Sequence, residues 1–282
     1  MNVIEQFTIG KSTTAASEDA VVVTSSYAAV IDGATPKTDY RYPSGETPGQ
    51  LAARQLSQAV SVLPDGLSAS EAVTRLSACL RHPEVAPADR PIASIAIYAA
   101  AKREVWLVGD CQFAYGREGN FQLVTNAKQI DRTLSEWRSQ IVESYLSRGL
   151  MSEREIQDKD PGRRIIQPHI TRQVRYQNIA TPHRFAYGML DGETVPTQYV
   201  KVFSLPPGAD TLILATDGYP CLAPTLQQSE EELHRLLAAD PLCIGPLSGT
   251  KCLKPGNRSY DDRTYLRLSI GNDPSTLSST PL

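Results

Sequence analysis

Five acidic residues of this 282-residue chain stand where short apolar runs begin or end. Asp19 and Asp261 each precede a run, whereas Asp32, Asp110 and Asp217 each follow one. Carboxylates gathered at strand ends repel one another unless cations neutralise them, and a set of oxygen ligands suits magnesium or manganese. The pattern therefore predicts a site for two divalent cations.

Glycine directly follows two of these acidic residues, as Gly33 after Asp32 and Gly218 after Asp217. A glycine there lets the backbone approach a ligand closely, so that a backbone carbonyl could itself be a ligand. Aspartate and glycine are also the commonest turn residues, and each pair taken alone is more simply interpreted as a turn. The ordered set of acidic positions is what favours the metal site.

The composition narrows the classes of function. A net charge of -3 with 21% charged residues describes a globular protein without the basic excess that nucleic-acid binding needs. No apolar run approaches the ~20 residues of a membrane span, and the N-terminal residues do not resemble a signal peptide. We therefore expect a cytoplasmic protein that binds neither nucleic acid nor membrane.

Cysteine and histidine give no sign of a disulfide framework or a zinc site. The five cysteines are odd in number and have no short paired spacing, and the four histidines are scattered singly along the chain. Free, buried thiols are the interpretation that we favour.

Apolar periodicity places the acidic residues on short strands. Tight turns join the apolar runs over 94–99, 104–110, 112–115 and 121–124, which is typical of an antiparallel meander. Further strands are predicted over 20–23, 27–31, 210–216 and 264–270, and helices over 50–62, 68–80, 130–150 and 228–238.

The strands come in consecutive clusters, which favours an α+β fold of antiparallel sheets with helices packed outside. The basic, proline-interrupted segment 158–178 is predicted to be a long loop or flap. One domain is expected over 1–271, followed by a disordered, Ser/Thr/Pro-rich tail over 272–282.

Together, these motifs resemble those of the metal-dependent (type 2C, PPM-type) serine/threonine protein phosphatases, especially the bacterial members. The similar segments are, in family order, 17–20, 29–33, 108–111, 212–218 and 260–264. Two of them depart slightly, with Thr216 where the family has serine and Asp262 where it has asparagine. The resemblance runs from about residue 8 to about residue 270.

The resemblance implies an α-β-β-α sandwich with two central antiparallel sheets and two divalent cations, Mn²⁺ or Mg²⁺, at one end. Asp32 would bridge the cations and, with Asp217, form the catalytic pair, while Asp110 would help to hold a third, weaker cation. Glu18 would lie behind the ligands. The implied metal ligands are Asp19, Asp32, Gly33, Asp110, Asp217 and Asp261.

The resemblance also implies a phosphatase that hydrolyses phosphoserine or phosphothreonine with metal-activated water. Its partners would be a phosphoprotein substrate and an opposing, cognate kinase. Two alternatives stay open at this point: a hydrolase of a small phosphorylated metabolite, and a non-catalytic binding module that keeps the fold.

Three departures bear on substrate binding. Thr14 stands where many members have a phosphate-binding arginine, and Ala34 stands where animal members have a histidine. Lys11 or Arg41 could replace the arginine, although a solvated surface position is expected for both. The segment 124–128 lacks the usual Asp-His pair, and the basic segment 158–178 is either the source of substrate selectivity or a solvated loop.

Overall fold

The computed structural model describes residues 1–35, 37–117 and 120–271. Its strands are β1 Asn2–Ile9, β2 Asp19–Val23, β3 Tyr27–Gly33, β4 Ala93–Ala99, β5 Glu104–Val108, β6 Gln112–Arg117, β7 Asn120–Val124, β8 Lys201–Ser204, β9 Thr211–Ala215 and β10 Arg263–Ser269. Its helices are α1 Pro48–Ser61, α2 Ala69–Ala78, α3 Gln129–Ser147, α4 Glu153–Lys159, α5 Pro161–Arg172 and α6 Leu226–Ala239.

The strands form two antiparallel sheets of five strands each. The first sheet has the order β1-β10-β9-β6-β7, and the second has the order β2-β3-β4-β5-β8. Alternate residues point into the space between the sheets, where Val30 and Tyr98 of the second sheet meet Phe113 and Leu214 of the first. This apolar layer holds the two sheets face to face.

Helices cover the outer faces of both sheets. Ile31 and Ile97 point away from the inner layer and pack against Leu56 of α1 and Leu76 of α2. On the other side, Leu233 of α6 packs with the outer face of the first sheet. The layers are therefore helix, sheet, sheet and helix, and the predicted α-β-β-α sandwich is confirmed.

The prediction of a long loop over 158–178 is wrong, because α5 occupies most of this segment. Asp160 caps the helix by accepting a hydrogen bond from the Arg163 N–H at 2.8 Å, and Pro161 stands at the first helical position. Ile166 and Ile170 are buried in the cluster that contains Ile130 and Leu134 of α3. The helix continues to Arg172 although Pro168 lies within it.

The strands and helices that were predicted from the sequence are present, with boundaries shifted by a few residues. Strands β1 and β8 and helix α4 are additional elements that the sequence did not predict. No helix in the described ranges is long and apolar enough to cross a membrane. The single domain over 1–271 stays a prediction, and the tail predicted over 272–282 lies outside the described residues.

Candidate metal centre

The predicted acidic residues come together at one end of the sandwich. Asp19 on β2 and Asp32 on β3 are register partners in the second sheet. Asp217 follows β9 and Asp261 precedes β10, both in the first sheet. The Thr216 hydroxyl, just after β9, donates a hydrogen bond of 2.7 Å to Asp19 Oδ2, so the two sheets are joined directly at this end.

A cavity of about 710 Å³ lies at this end of the sheets, and Asp32, Asp110, Asp217 and Asp261 line it. Asp217 is exposed to this cavity, whereas Asp19 is buried beside it. Four of the five predicted carboxylates therefore face one space that is large enough for cations together with a bound molecule.

Three of the carboxyl groups resist ionisation. Burial raises the pKa of Asp32 well above its usual value, and the charges of Asp217 and Asp19 raise it further. Burial also raises the pKa of Asp19. Asp217 is open to the cavity, but the protein atoms around the cavity still desolvate its carboxyl and raise its pKa to about 8, with repulsion from Asp110 and Asp261 acting in the same direction.

The carboxylates of Asp32 and Asp217 have no hydrogen-bond donor or ion-pair partner among the side chains of the described residues. Unpaired negative charges at such a site are costly unless a cation neutralises them. The donor set is all oxygen, which is the set that magnesium and manganese prefer. These two residues therefore fit divalent cations.

Asp110 differs from them because protein groups already neutralise it. Lys128 Nζ lies 2.8 Å from Asp110 Oδ2 and 3.5 Å from Asp131 Oδ2, and the Ser94 hydroxyl donates a hydrogen bond to Asp110 Oδ1. Burial alone would raise the pKa of Asp110, but Lys128 outweighs it and lowers the pKa below its usual value. The negative charge of Asp110 is thus neutralised by Lys128.

Asp261 is neutralised in the same way. Lys251 Nζ lies 2.6 Å from Asp261 Oδ2, and Lys11 Nζ lies 3.3 Å from Asp261 Oδ1. Against the effect of burial, these two lysines lower the pKa of Asp261 well below its usual value.

As the side chains stand, the described part of the chain contains no group of three or more His, Cys, Asp or Glu residues that could hold a metal ion. Two of the predicted ligands are instead paired with lysines. The ligand roles of Asp19, Gly33, Asp110 and Asp261 therefore stay predictions, and Asp32 and Asp217 are the residues that the geometry supports best.

Asp262, at the position where the phosphatase family has asparagine, binds the N-terminal segment to the site through hydrogen bonds. Its Oδ1 accepts a hydrogen bond from the Lys11 N–H at 2.7 Å, and its Oδ2 accepts one from the Glu18 N–H at 2.8 Å. A carboxylate accepts with both oxygens, whereas an asparagine amide has only one. This departure from the family pattern is therefore explained by local structure.

The surface position expected for Lys11 is wrong, whereas the one expected for Arg41 is confirmed. Lys11 Nζ lies 3.4 Å from Glu18 Oε2 and donates a hydrogen bond of 2.9 Å to Thr35 Oγ1. Glu18 itself is buried and accepts a hydrogen bond from the hydroxyl of Thr47, the residue that caps α1. Arg41 is exposed and donates to the carbonyl of Tyr40.

Gly33 is required by packing, independently of any ligand role. A Cβ atom at this position would lie 2.2 Å from the carbonyl oxygen of Gly49 and 2.6 Å from that of Glu18. No other residue fits between β3 and the start of α1 without moving the backbone. Close backbone approach is therefore what the glycine provides, as the sequence indicated, and its partner is the protein itself.

Sequence reasoning missed most of the basic residues that line the cavity. Lys37, Lys128, Arg163 and Lys251 all line it. Lys128 lies in the segment that departs from the family pattern, and Arg163 lies in the basic segment already singled out. Lys37 and Lys251 have no periodicity or motif that distinguishes them from surface lysines.

The metal-free protein should lose stability through Asp217 as the pH rises. The pKa of this carboxyl is about 8 in the folded chain against a usual value of 3.8, so between these values the folded state binds more protons than the unfolded state. Ionisation therefore weakens the fold as the pH approaches about 8. A divalent cation should remove this effect, because it favours the ionised carboxylate.

The measurement is the melting temperature in EDTA and in magnesium at a series of pH values, for the parent chain and for Asp217→Asn. In EDTA the melting temperature of the parent should fall more than that of the variant as the pH rises from 3.8 to about 8. Equal pH dependence in the two chains would contradict the raised pKa of Asp217.

The fold is similar to that of known phosphatases. A crystal structure of a bacterial serine phosphatase matches with a TM-score of 0.52 and 13% sequence identity, covering 96% of this chain and 99% of that chain. The serine/threonine phosphatase Stp1 from Staphylococcus aureus matches with a TM-score of 0.52 and 13% identity, covering 96% of each chain. No family model matches the sequence. No curated protein matches it either.

The chain therefore has the fold of the bacterial PPM-type serine/threonine phosphatases over nearly its whole length. The likeness inferred from the sequence motifs is confirmed at the level of the fold. Fold alone does not establish chemistry, which depends on the residues of the site.

Proposed function

We propose that this protein is a metal-dependent phosphoric monoester hydrolase that removes phosphate from phosphoserine or phosphothreonine in proteins. The observation that carries the proposal is the pair Asp32 and Asp217, which line one cavity and form no ion pair with a cationic side chain among the described residues. The fold shared with bacterial serine/threonine phosphatases supports the same conclusion.

Asp32 and Asp217 would hold two divalent cations, Mg²⁺ or Mn²⁺, with Asp19 and the Gly33 carbonyl as further ligands. Asp261 would join them by giving up its ion pairs with Lys11 and Lys251. When bound, such ions neutralise charge on a phosphoryl group and lower the pKa of water so that it can attack near neutral pH. The hydrogen bond from Thr216 fixes one oxygen of Asp19 and leaves the other available.

The leaving oxygen would take its proton from water. Within the described residues, no histidine lines the cavity, and Ala34 lies at the position where a histidine could act as an acid. No cysteine lines it in those ranges either, so the proposal requires no covalent intermediate on a protein thiol.

We propose two cations and not three. The third cation implied by the resemblance would depend on Asp110, whose charge Lys128 already neutralises. A cytoplasmic location and an opposing kinase belong to the proposal as the settings in which a phosphoprotein phosphatase would act.

A second candidate, a hydrolase of a small phosphorylated metabolite, is favoured by the cavity. Its volume of about 710 Å³ and its basic lining residues suit a small anionic molecule. The two candidates share the metal chemistry and differ in the size of the substrate. A comparison of kcat/KM for phosphopeptides and small phosphate esters separates them.

Hydrolysis of an aryl phosphate should stop in excess EDTA and return with manganese or magnesium. We expect a loss of about two orders of magnitude or more, because without cations nothing activates the water. A thiol-blocking reagent, used as a control at saturating metal, should leave the rate unchanged. Full activity in excess EDTA would contradict the proposed chemistry.

A further inference from the structure

Six basic residues in the described part of the chain line the cavity: Lys37, Arg90, Lys128, Arg132, Arg163 and Lys251. Lys128 and Lys251 pair with carboxylates of the candidate metal centre, and Arg90 approaches Glu193. Arg132 is exposed. Lys37 and Arg163 remain, and we refer to these two residues as the basic wall.

Neither residue of the basic wall has an ion-pair partner among the described residues. Asp160 lies near Arg163, but its carboxylate accepts hydrogen bonds from the Arg138 side chain at 2.9 Å and from the Arg163 backbone N–H at 2.8 Å. No carboxylate among the described residues therefore contacts the charged group of either side chain of the basic wall.

Lys37 presents free donors to the cavity. Its Nζ donates one hydrogen bond, of 2.7 Å, to the carbonyl oxygen of Thr35, and an ammonium group has three N–H donors. Burial lowers the pKa of Lys37 to about 8, and the charges of Arg163 and Lys251 lower it further. An anion beside the ammonium would relieve both effects.

The positive charge of Arg163 lies at a position that is electrostatically unfavourable for helix α5. It is in the first turn of α5, at the positive end of the helix dipole, and it is partly buried. One guanidinium nitrogen, Nη1, donates to the carbonyl and to the hydroxyl oxygen of Thr250, each at 3.1 Å. These bonds orient the guanidinium and leave its remaining N–H groups without a carboxylate.

We propose that Lys37 and Arg163 bind an anionic group of the substrate, either the phosphate that is hydrolysed or a second acidic group next to it. The inference rests on the proposed function and adds the residues that recognise the substrate. Thr14 cannot supply this charge, and its side chain is exposed. A lysine and an arginine together provide a point charge and a planar fork, which suits phosphate oxygens.

The test compares Lys37→Met, Arg163→Met and the double variant with two controls. Arg164→Met changes the exposed neighbour of Arg163 on α5, and Lys201→Met changes an exposed lysine on β8. Arg163→Lys keeps the charge and removes the fork. Binding of inorganic phosphate is measured as the phosphate-dependent rise in melting temperature in magnesium buffer, which requires no catalysis.

KM and kcat are then measured for an aryl phosphate and for two phosphopeptides, one with neutral and one with acidic residues beside the phosphoserine. If the basic wall binds the hydrolysed phosphate, each single Met variant should weaken phosphate binding and raise KM for every substrate by about tenfold or more. If it binds a neighbouring acidic group, only the acidic peptide should show this loss.

Melting temperatures without phosphate show whether the variants fold. Removing an uncompensated charge should leave the melting temperature of Lys37→Met unchanged or higher. If phosphate binding and every KM match those of the controls, the inference is overturned. A parent chain that binds phosphate through the basic wall but hydrolyses no ester would refute the proposed function and leave the inference standing.

Discussion

Asp217→Asn is expected to lower turnover by orders of magnitude while leaving the metal-free fold at least as stable as the parent. Asparagine has a similar shape, but it removes a negative charge that faces the proposed cations. In the metal-free protein the same charge is repelled by Asp110 and Asp261. Its loss therefore relieves repulsion in the absence of metal.

The measurement pairs turnover at saturating manganese with the melting temperature in EDTA, for Asp217→Asn and the parent. Asp210→Asn is a matched control, because Asp210 precedes β9 at the strand end opposite Asp217 and does not line the cavity. Turnover close to that of the parent would show that Asp217 only stabilises a turn. Lost turnover with an unchanged melting temperature would support the ligand role.

Unlike Asp217→Asn, the variant Arg138→Met is expected to lose much of its stability. Arg138 is fully buried, and its guanidinium donates to Asp160 and to the carbonyl oxygens of Leu242, Cys243 and Gly249 at 2.9–3.1 Å. Removing it leaves a buried carboxylate without its cation and takes one donor from each of three carbonyls, of which that of Cys243 keeps the Gly249 N–H at 3.0 Å. The expected cost is about 3–5 kcal/mol.

Urea unfolding of Arg138→Met, with Arg148→Met as control, measures this cost. Arg148 ends the same helix and is exposed, so its replacement should change the free energy of unfolding by less than about 0.5 kcal/mol. A similarly small effect for Arg138→Met would mean that Asp160 and the carbonyls find other donors. Because α3, α5 and residues 246–251 line the cavity, we also expect this variant to lose activity at temperatures where it is still folded.

The strand ends that carry the acidic residues could be predicted from the sequence because the signal is local. A short apolar run that stops at an acidic residue, as at Asp32 and Asp217, marks both the strand and its end. Antiparallel strands of two facing sheets then bring such ends together, so five separate observations converge on one site. The glycines after these residues were also informative, although their main role at Gly33 is packing.

The prediction of a loop over 158–178 was wrong because it rested on the composition of the segment and not on the residues that cap a helix. Basic residues and Pro168 suggested an irregular segment, yet Asp160 followed by Pro161 is a typical helix start. Apolar residues at helical spacing, Ile166 and Ile170, were also present. Those local signals are sufficient to indicate the helix.

The lysine partners of the site could not have been predicted in this way. Lys128 and Asp110 are 18 residues apart in the sequence, and Lys251 and Asp261 are 10 residues apart. Neither separation is one at which a helix or a strand would bring the two side chains into contact. Such contacts depend on how loops pack after the sheets have formed. For this reason the sequence suggested a site of carboxylates, whereas the structure contains carboxylates and lysines together.

The hydrogen bonds of Asp262 determine when the candidate metal centre can form during synthesis of the chain. They reach backwards to residues 251 and 244 positions earlier, and β1 pairs with β10 in the same region. On the ribosome, the N-terminal strand and the loop that follows it are made first but cannot take their final positions until the residues of β10 have emerged. Such long-range pairing is slow to form. The emerging polypeptide therefore has no complete candidate metal centre, and a chain released before β10 would lack the proposed activity.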